Sequence, residues 1–228
     1  ILKQHQNEGL TAKQKFVLQL LAAVIFLSLM RYEGLLSNDL YLPFFNVSFT
    51  INWIVYLVFA AFVIVGCVNA VNLTDGIDGL AGSVTAVTCV FFLAAGLLAE
   101  LTTLSLFASA LLGGLLAFVV GYNHHPAKCF MGDTGSLFLG GAVAAMAFAL
   151  DMPLVLIPVG IVYILETLSD IIQVVYFKAT HGKRFFKMAP LHHHLEKCGW
   201  SEWKIVGVFS AVTAVCSLLA WFGIQGRF

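Results

Sequence analysis

The stretch Asn69-Ala-Val-Asn72-Leu-Thr-Asp75-Gly-Ile-Asp78-Gly79 separates two long apolar runs, residues 52–68 and 80–98. It places two amides and two carboxylates between segments that are each long enough to approach the thickness of a bilayer. Ionisable groups at such junctions usually mark function in a membrane protein. The stretch therefore predicts both a membrane fold and the position of a functional site.

The composition also indicates a membrane protein. Hydrophobic residues make up 60% of the 228 residues, charged residues only 11%, and the mean hydropathy is +0.93, which is far from a soluble domain of this length. We therefore predict an all-α integral membrane protein, a polytopic helical bundle with seven transmembrane helices. The seven segments, of which the fifth is the shortest, are residues 15–31, 52–68, 80–98, 104–122, 136–150, 153–177 and 203–224.

The distribution of lysine and arginine predicts the orientation, since positive residues remain preferentially in cytoplasmic loops. Threading the seven segments places ten of the twelve, Lys3 among them, on one side and only Arg31 and Arg227 on the other. We therefore predict that the chemistry is cytoplasmic, within a single membrane domain, residues 1–228. The cytoplasmic side carries all seven histidines and three candidate catalytic loops, residues 69–79, 122–135 and 178–202.

Several classes of partner and site are disfavoured. Twelve basic and twelve acidic residues give no basic surface, which argues against nucleic acid as a partner. The five cysteines show no Cys-x-x-Cys spacing, so neither a disulfide framework nor a zinc ribbon is indicated. On the extracytoplasmic side, the alternating Val47-Ser-Phe-Thr50 predicts a short hairpin within residues 32–50.

The first loop pairs its polar residues at a spacing of three. Asp75 and Asp78 share a helical face if the chain there is helical, and Asn69 and Asn72 repeat the spacing one turn earlier. Carboxylates and amides so arranged suit Mg²⁺, or the ribose and base of a nucleotide. The alternative is helix capping, in which Asp75 or Asp78 is the N-cap of the third span. Capping would explain only one of the four side chains.

The second loop contains Phe130-Met-Gly-Asp133-Thr-Gly-Ser136 directly before a span. Backbone amides freed by Gly132 and Gly135, together with the positive end of the following helix, would hold a phosphate or a metal diphosphate. An N-cap role is again the alternative for Asp133. Phe130 would either stack on a base or anchor the chain at the membrane interface.

The sixth span carries Glu166, Asp170 and Gln173, whose i, i+4, i+7 spacing lines them along one helical stripe. Carboxylates are costly in a bilayer, so this stripe should face the bundle or a watery cavity near the site, with Gln173 nearest the surface. Binding of a neighbouring helix is the structural alternative.

The last loop contains the histidine run His192-His193-His194 among cations and apolar residues. Consecutive helical residues point about 100° apart, so all three cannot easily bind one metal ion. Contacts from one or two of them to anionic oxygens of a substrate fit better. The alternative is an interfacial amphipathic segment held by anionic lipid.

Three segments in this order resemble the signature motifs of the bacterial phospho-N-acetylmuramoyl-pentapeptide transferases. They are residues 69–81, Phe130-Met-Gly-Asp133-Thr-Gly-Ser-Leu137 and Met188-Ala-Pro-Leu-His192-His-His194-Leu-Glu196. This family lies in the superfamily of polyprenyl-phosphate N-acetylhexosamine-1-phosphate transferases. The resemblance runs over essentially the whole chain, and the triple histidine after Ala-Pro points to the muramoyl-pentapeptide branch.

The resemblance implies a Mg²⁺-dependent enzyme of peptidoglycan biosynthesis in the bacterial cytoplasmic membrane. Phospho-MurNAc-pentapeptide would pass from UDP-MurNAc-pentapeptide to undecaprenyl phosphate, giving lipid I and UMP. The sequence does not separate direct attack by the lipid phosphate from a two-step route through a phosphorylated aspartate, although we favour direct attack. Homodimers are typical of the family, whereas the sequence itself sets no oligomeric state.

The resemblance also implies roles for individual residues. Asp133 would be the metal ligand, and Phe130 would stack on uracil. The residues with catalytic roles would be Asp75, Asp78, Asp133, His192, His193 and His194. The residues that bind substrate would be Asn69, Asn72, Leu73, Asn123, Phe130 and Gln173.

The chain departs from the family in one respect. Family members have about ten spans and an Asp-Asp pair shortly before the region that matches Ile1, whereas this sequence has seven spans and no Asp-Asp. We therefore expect a C-terminal portion that is inactive on its own. The alternatives are a sister transferase that uses UDP-GlcNAc and, far less favoured, a transporter, which should show polar residues along several spans.

Overall fold

The long apolar runs form helices, because a helix satisfies every backbone N–H and C=O within its own segment. The computed structural model describes residues 10–228, so Lys3 lies outside the described residues. The main elements, in chain order, are α1 (Ala12–Tyr32), β1 (Asp39–Leu42), β2 (Val47–Thr50), α2 (Trp53–Thr74), α3 (Leu80–Leu98), α4 (Thr102–Phe118), α5 (Gly132–Ala149), α6 (Leu156–Val159), α7 (Ile161–Ala179), α8 (Leu191–Lys197) and α9 (Glu202–Ile224). A π turn, Val119–Asn123, extends α4, and a 3₁₀ turn, Pro153–Val155, precedes α6.

Six of the described helices are long and apolar enough to cross a membrane, and the count is seven if the bent pair described below forms one span. The prediction of an all-α polytopic membrane protein is thus confirmed. The fifth span is less short than predicted, because α5 begins at Gly132 rather than at residue 136. Asp133 consequently lies in the first turn of α5.

The sixth predicted span is broken. Residues 153–159 and α7 meet at an angle of 80°. Pro158 lacks a backbone N–H, and the N–H of Gly160 donates to Leu156 O at 2.8 Å, which ends α6. A Cβ on Gly160 would lie 2.6 Å from the same oxygen, so the turn requires glycine. The segment 153–177 was predicted as one span, and the structure replaces it with two helices separated by this corner.

Two helices organise the packing. α2 contacts α1, α5 and α7, whereas α3 contacts α4 and α9. Tyr56 and Phe148 are fully buried in the cluster around α2, and Phe92 and Met152 in the cluster around α3. Large apolar side chains cover the outer faces, as at Phe62, which is the surface expected of helices that face lipid.

The predicted hairpin is present and is fastened at the end of the bundle that we call the far end. β1 and β2 pair antiparallel, with Asp39 opposite Thr50. Beside them, the guanidinium of Arg227 contacts Asp151 Oδ2 at 2.8 Å, and Ser37 Oγ donates to the same oxygen at 2.7 Å. The three predicted catalytic loops gather at the opposite end, which we call the site end.

Candidate functional site

The two aspartate motifs meet at the site end. Asn72, near the end of α2, donates through Nδ2 to Asp133 Oδ1 at 3.2 Å and to Ser136 Oγ at 2.8 Å. Asp133 and Ser136 both lie in the first turns of α5, so one amide joins α2 to α5 at this end. Residues 61 positions apart in the chain are thereby brought together.

The first helix also contributes to the site. The ammonium group of Lys15 forms an ion pair with Asp133 Oδ2. One turn further along α1, Gln19 Oε1 accepts a hydrogen bond from Asn69 Nδ2 at 2.7 Å, and Asn69 also donates to Val65 O. Asn69 therefore binds α1 rather than joining the aspartates, although it shares the helix of Asn72.

Asp75 is the residue that ends α2, and it forms no ion pair with another residue of the described part, 10–228. Burial, and secondly the negative charge of Asp133, raise the pKa of Asp75 to about 6. Two carboxylates thus repel each other across the junction between α2 and α5. Since the Asp133 side chain is 58% exposed, this negative potential faces solvent.

The capping alternatives for the aspartates are wrong. The N-cap of α3 is Gly79, which has a φ of +76° and no side-chain cap hydrogen bond. The N-cap of α5 is Met131, and again no side chain caps the helix. Asp75, Asp78 and Asp133 are therefore available for other contacts.

A cavity of about 270 Å³ opens between the two loops. It takes its walls from the turn that follows α2 and from the segment that precedes α5. The lining residues are Asp75, Gly76, Ile77, Asp78, Asn123, Phe130, Met131 and Gly132. The cavity thus combines two carboxylates with one aromatic ring, which suits a nucleotide better than an apolar ligand.

Asp78 is held by a cluster with a loop residue and with α9. His125 Nδ1 lies 3.2 Å from Asp78 Oδ2 and 3.1 Å from Glu202 Oε2. The backbone N–H of Ala127 donates to Asp78 Oδ2 at 2.9 Å, and that of Asp78 donates to Glu202 Oε2 at 3.3 Å. The three ligand atoms lie within 4.8 Å of one another. The His125 ring and the two backbone N–H groups therefore fix the carboxylates of Asp78 and Glu202 relative to each other.

Phe130 is exposed at the cavity, whereas Asn123 is buried and hydrogen-bonded. The Phe130 ring is 78% exposed at the rim of the cavity, so a planar base can reach it. Asn123 is buried, and both ends of its amide are occupied: Oδ1 accepts from Gly79 N at 3.1 Å, and Nδ2 donates to Cys129 O at 3.0 Å. Asn123 thus shapes the cavity by joining its two walls.

The three consecutive histidines point in three directions, as the helical spacing predicted. His192 is fully buried, with Nδ1 2.9 Å from Glu166 Oε2, and its ring edge contacts Gly76. His193 pairs through Nδ1 with Glu196 at 2.5 Å. His194 Nδ1 accepts the backbone N–H of Lys187 at 3.1 Å. The ring of His192 thus lies against Gly76 in the aspartate loop.

Two further predicted residues lie apart from the 270 Å³ cavity. Gln173 Oε1 accepts the backbone N–H groups of Phe185 and Phe186, and Gln173 lines a separate cavity of about 330 Å³ with Asp170 and Arg184. Leu73 is half-buried in the last turn of α2 and does not line the 270 Å³ cavity. The predicted residues thus fall into a central group around the aspartates and a group along α7.

Sequence reasoning missed three side chains at the site: Lys15, His125 and Glu202. Each has an ordinary interpretation in the sequence, as an orientation signal, a loop residue before proline and a residue in the first turn of a helix. The signal that could have found them is charge complementarity, because each is an ionisable residue at the site end of a predicted span.

The aspartates fit a hard divalent cation. Carboxylate and amide oxygens are the ligands that such ions prefer. The pKa of Asp75 is raised mainly by burial, and the negative charge of Asp133 raises it further. A cation bound at Asp133 would supply the missing positive charge.

The fold and the site together define a polytopic membrane protein with an acidic cavity suited to a nucleotide and a divalent cation. The family model described as glycosyl transferase family 4 matches residues 7–151, which contain both aspartate motifs. The chain belongs to glycosyl transferase family 4.

Individual relatives with high sequence identity share one enzyme name. The chain is 50% identical over 221 residues to the phospho-N-acetylmuramoyl-pentapeptide-transferase of Clostridium acetobutylicum, over 96% of this chain and 68% of that protein. It is 48% identical over 220 residues to the protein of the same name from Clostridium botulinum strain Eklund 17B, covering 96% and 66% of the two chains. For that of Bacillus cytotoxicus, identity is 45% over 214 residues, covering 94% and 65%. The chain spans about two thirds of the length of these relatives.

The resemblance predicted from the three motifs is confirmed by these matches, and with it a phosphoglycosyl transferase of lipid I synthesis. The family implies a nucleotide-sugar donor, a polyprenyl phosphate acceptor and a divalent metal. The described helices and the relatives agree on a multi-pass membrane protein.

Proposed function

We propose that the complete protein transfers phospho-MurNAc-pentapeptide from UDP-MurNAc-pentapeptide to undecaprenyl phosphate and so forms lipid I and UMP. An oxygen of undecaprenyl phosphate attacks the sugar-bearing phosphorus of the donor. The bond from that phosphorus to the bridging oxygen breaks, and UMP leaves with this oxygen. The observation that carries the proposal is the hydrogen bond from Asn72 to Asp133, which joins two motifs of this family around one cavity.

The uridine end of the donor binds in the 270 Å³ cavity. Phe130 stacks on uracil, for which its exposed ring at the cavity rim is suited. Asp78 accepts hydrogen bonds from the ribose, and Asn123 holds the two walls at their separation. Asn69 and Leu73 act less directly, by fixing α2 against its neighbours.

Asp133 would hold Mg²⁺, and the diphosphate would bind between Asp75 and Asp133. A cation at Asp133 would neutralise diphosphate charge and stabilise the leaving UMP. Asn72 orients the Asp133 carboxylate, and Lys15 balances its charge. Asp75, whose pKa is about 6, is mostly ionised at neutral pH and adds to the potential that attracts the cation.

The second group of residues binds the remainder of the donor. His193, His194 and Gln173 lie along α7 and α8, and the contacts of His194 and Gln173 hold the chain between Phe185 and Lys187. His192 supports the aspartate loop from behind. The nucleotide thus binds to the central group around the aspartates, and the sugar and peptide bind to the group along α7 and α8.

The site faces the cytoplasm in this proposal. Lys15 and Lys128 belong to the site end, while Arg227 lies at the far end, so that positive residues gather on one side. UDP-sugars are cytoplasmic compounds, whereas undecaprenyl phosphate reaches the site from the bilayer.

Direct attack is the mechanism that we favour over a phosphorylated aspartate. Once a metal ion neutralises the diphosphate, the reaction depends more on the positioning of the two substrates than on a covalent intermediate. Isolation of a phosphosugar bound to an aspartate would overturn this preference.

The test uses the chain within a protein of the full length of its relatives, in membranes that contain undecaprenyl phosphate. UDP-MurNAc-pentapeptide and UDP-GlcNAc are offered in parallel, and UMP release is followed with and without Mg²⁺. We expect release from the muramoyl donor alone and its loss in Asp133→Asn. Release from UDP-GlcNAc would assign the protein to the sister transferases, and release from neither donor would refute the proposal.

A further inference from the structure

A fully buried carboxylate and a fully buried imidazole meet between α7 and α8. Glu166 and His192 both have no exposed surface. Glu166 Oε2 lies 2.9 Å from His192 Nδ1, and the backbone N–H of His192 points at both carboxylate oxygens, at 3.2 and 3.4 Å. Ionisable groups buried in a membrane helix are costly and usually functional.

The contacts determine which ring nitrogen carries the proton. The backbone N–H of His192 donates to both oxygens of the Glu166 carboxylate, which makes Glu166 the acceptor in this pair. An ionised carboxylate only accepts hydrogen bonds, so Nδ1 must be protonated. In the neutral imidazole, Nε2 is then a bare acceptor.

His192 Nε2 has no hydrogen-bond partner among the described residues, although it is buried. It points at the aspartate loop: a Cβ built on Gly76 would lie 2.1 Å from Nε2 and 2.7 Å from Cε1. The imidazole edge thus occupies the space that a side chain at position 76 would need. Gly76 in turn lines the 270 Å³ cavity between Asp75 and Asp78.

We propose that Glu166 is a positioning residue of the transfer reaction, which holds His192 in the Nδ1-protonated form with Nε2 against the Asp75–Asp78 loop. The inference rests on the proposed function and deepens it by adding a residue that does not contact the donor. Glu166 acts only through His192, and His192 acts through Gly76. Metal-site proteins use carboxylate–histidine pairs in the same way to fix ring orientation.

The first measurement is the protonation state of His192 in the complete wild-type protein. Histidine labelled with ¹⁵N is observed by NMR in lipid, and the signal of His192 is identified by its loss in His192→Asn. We expect a protonated Nδ1 and an unprotonated Nε2. A proton on Nε2 overturns the proposal, and this result does not depend on any variant of Glu166 or on any donor.

The second measurement is kinetic. Glu166→Gln removes the negative charge and lets the ring adopt either tautomer, so we expect kcat/KM for UMP release to fall about 10–100-fold, the range found for outer partners of metal-binding histidines. The matched control is Thr167→Ala on the same helix. The Thr167 hydroxyl donates only to Tyr163 O within its own helix, so its removal should leave kcat/KM within about twofold.

A double-mutant cycle separates positioning from general stabilisation. If Glu166 acts through His192, Glu166→Gln adds no further loss of residual kcat/KM in a His192→Asn protein. Full additivity of the two losses overturns the proposal. If the wild-type protein uses another UDP-sugar, the cycle is run with that donor, so that failure of the proposed function and failure of this inference are separate results. If Glu166→Gln does not fold, the proposal is tested by the protonation state of His192 in the wild-type protein.

Discussion

Asn72 Nδ2 lies 3.2 Å from Asp133 Oδ1 and 2.8 Å from Ser136 Oγ, so a single amide orients the carboxylate to which we assign the metal. Asn72→Ala leaves Lys15 as the partner of Asp133 and removes the link between α2 and α5 at this end. We expect kcat/KM for UMP release to fall about 10–100-fold, the effect of losing an outer partner of a metal ligand.

This loss should be relieved in part by high Mg²⁺ concentration, because the carboxylate is still present. The control is Asn52→Ser at the start of the same helix, where serine keeps the oxygen that caps Ile54 N. Wild-type Mg²⁺ dependence in Asn72→Ala would contradict the role assigned to the amide.

Asp75 should make stability depend on pH. Its pKa is raised from 3.8 to about 6, so the native protein retains a proton that the unfolded chain releases near pH 4. The stabilisation from this group is therefore complete below pH 4 and is lost as the pH rises to about 6. In metal-free buffer, we expect the unfolding temperature of the wild type to fall relative to that of Asp75→Asn over this window.

The second cause of the raised pKa can be tested separately. Asp133→Asn removes the neighbouring negative charge and should lower the pKa of Asp75, although burial, the larger cause, persists. Infrared difference spectra report the protonated carboxyl band directly, and Asp75→Asn identifies it. An unchanged midpoint in Asp133→Asn would exclude repulsion between the two carboxylates.

His125 should position Asp78. His125→Ala removes the ring that bridges Asp78 and Glu202 and leaves the two carboxylates close together without a shared donor. We expect KM for the donor to rise about tenfold, the size of a charge-assisted hydrogen bond, with a smaller change in kcat. His181→Ala, an exposed histidine in the turn after α7, serves as the control. An equal change in KM in His125→Ala and His181→Ala would contradict the role of His125 in positioning Asp78.

Gly140 should be required for the contact between α5 and α2. A Cβ at this position would lie 2.6 Å from Val68 Cα and 2.9 Å from Cys67 O, which are backbone atoms that cannot move aside cheaply. We expect Gly140→Ala to reduce the free energy of unfolding by about 1–3 kcal/mol through overpacking. The neighbouring Gly141→Ala meets only Val68 Cγ2 at 4.0 Å and should be tolerated. Unfolding in detergent checks both, and equal stabilities would contradict the prediction.

The sequence predicted most of the helices because long apolar runs leave the backbone no other means of satisfying its polar groups in lipid. It predicted the far-end hairpin from the alternation at Val47 to Thr50. It did not predict the 80° corner at Gly160, because Pro158 and Gly160 are individually tolerated within transmembrane helices. Whether they break one depends on tertiary packing.

For the site, the motifs predicted which loops meet but not which side chains face one another. Asn69 and Asn72 are equivalent by spacing, yet Asn69 binds Gln19 and only Asn72 reaches Asp133. Gln173 is occupied by backbone N–H groups of Phe185 and Phe186, a contact that depends on the path of the following loop. The side chains that contact each other depend on helix rotation and loop conformation, and sequence spacing determines neither.

The far-end ion pair has a consequence for how the protein is made. Ser37 follows α1, Asp151 follows α5 and Arg227 follows α9, and the members of the two bonded pairs are 114 and 76 positions apart in the sequence. During synthesis the Ser37–Asp151 hydrogen bond can form before α9 is inserted, whereas the Arg227–Asp151 ion pair can form only afterwards. Until α9 is in place, Asp151 therefore lacks the cation that partners it at the far end.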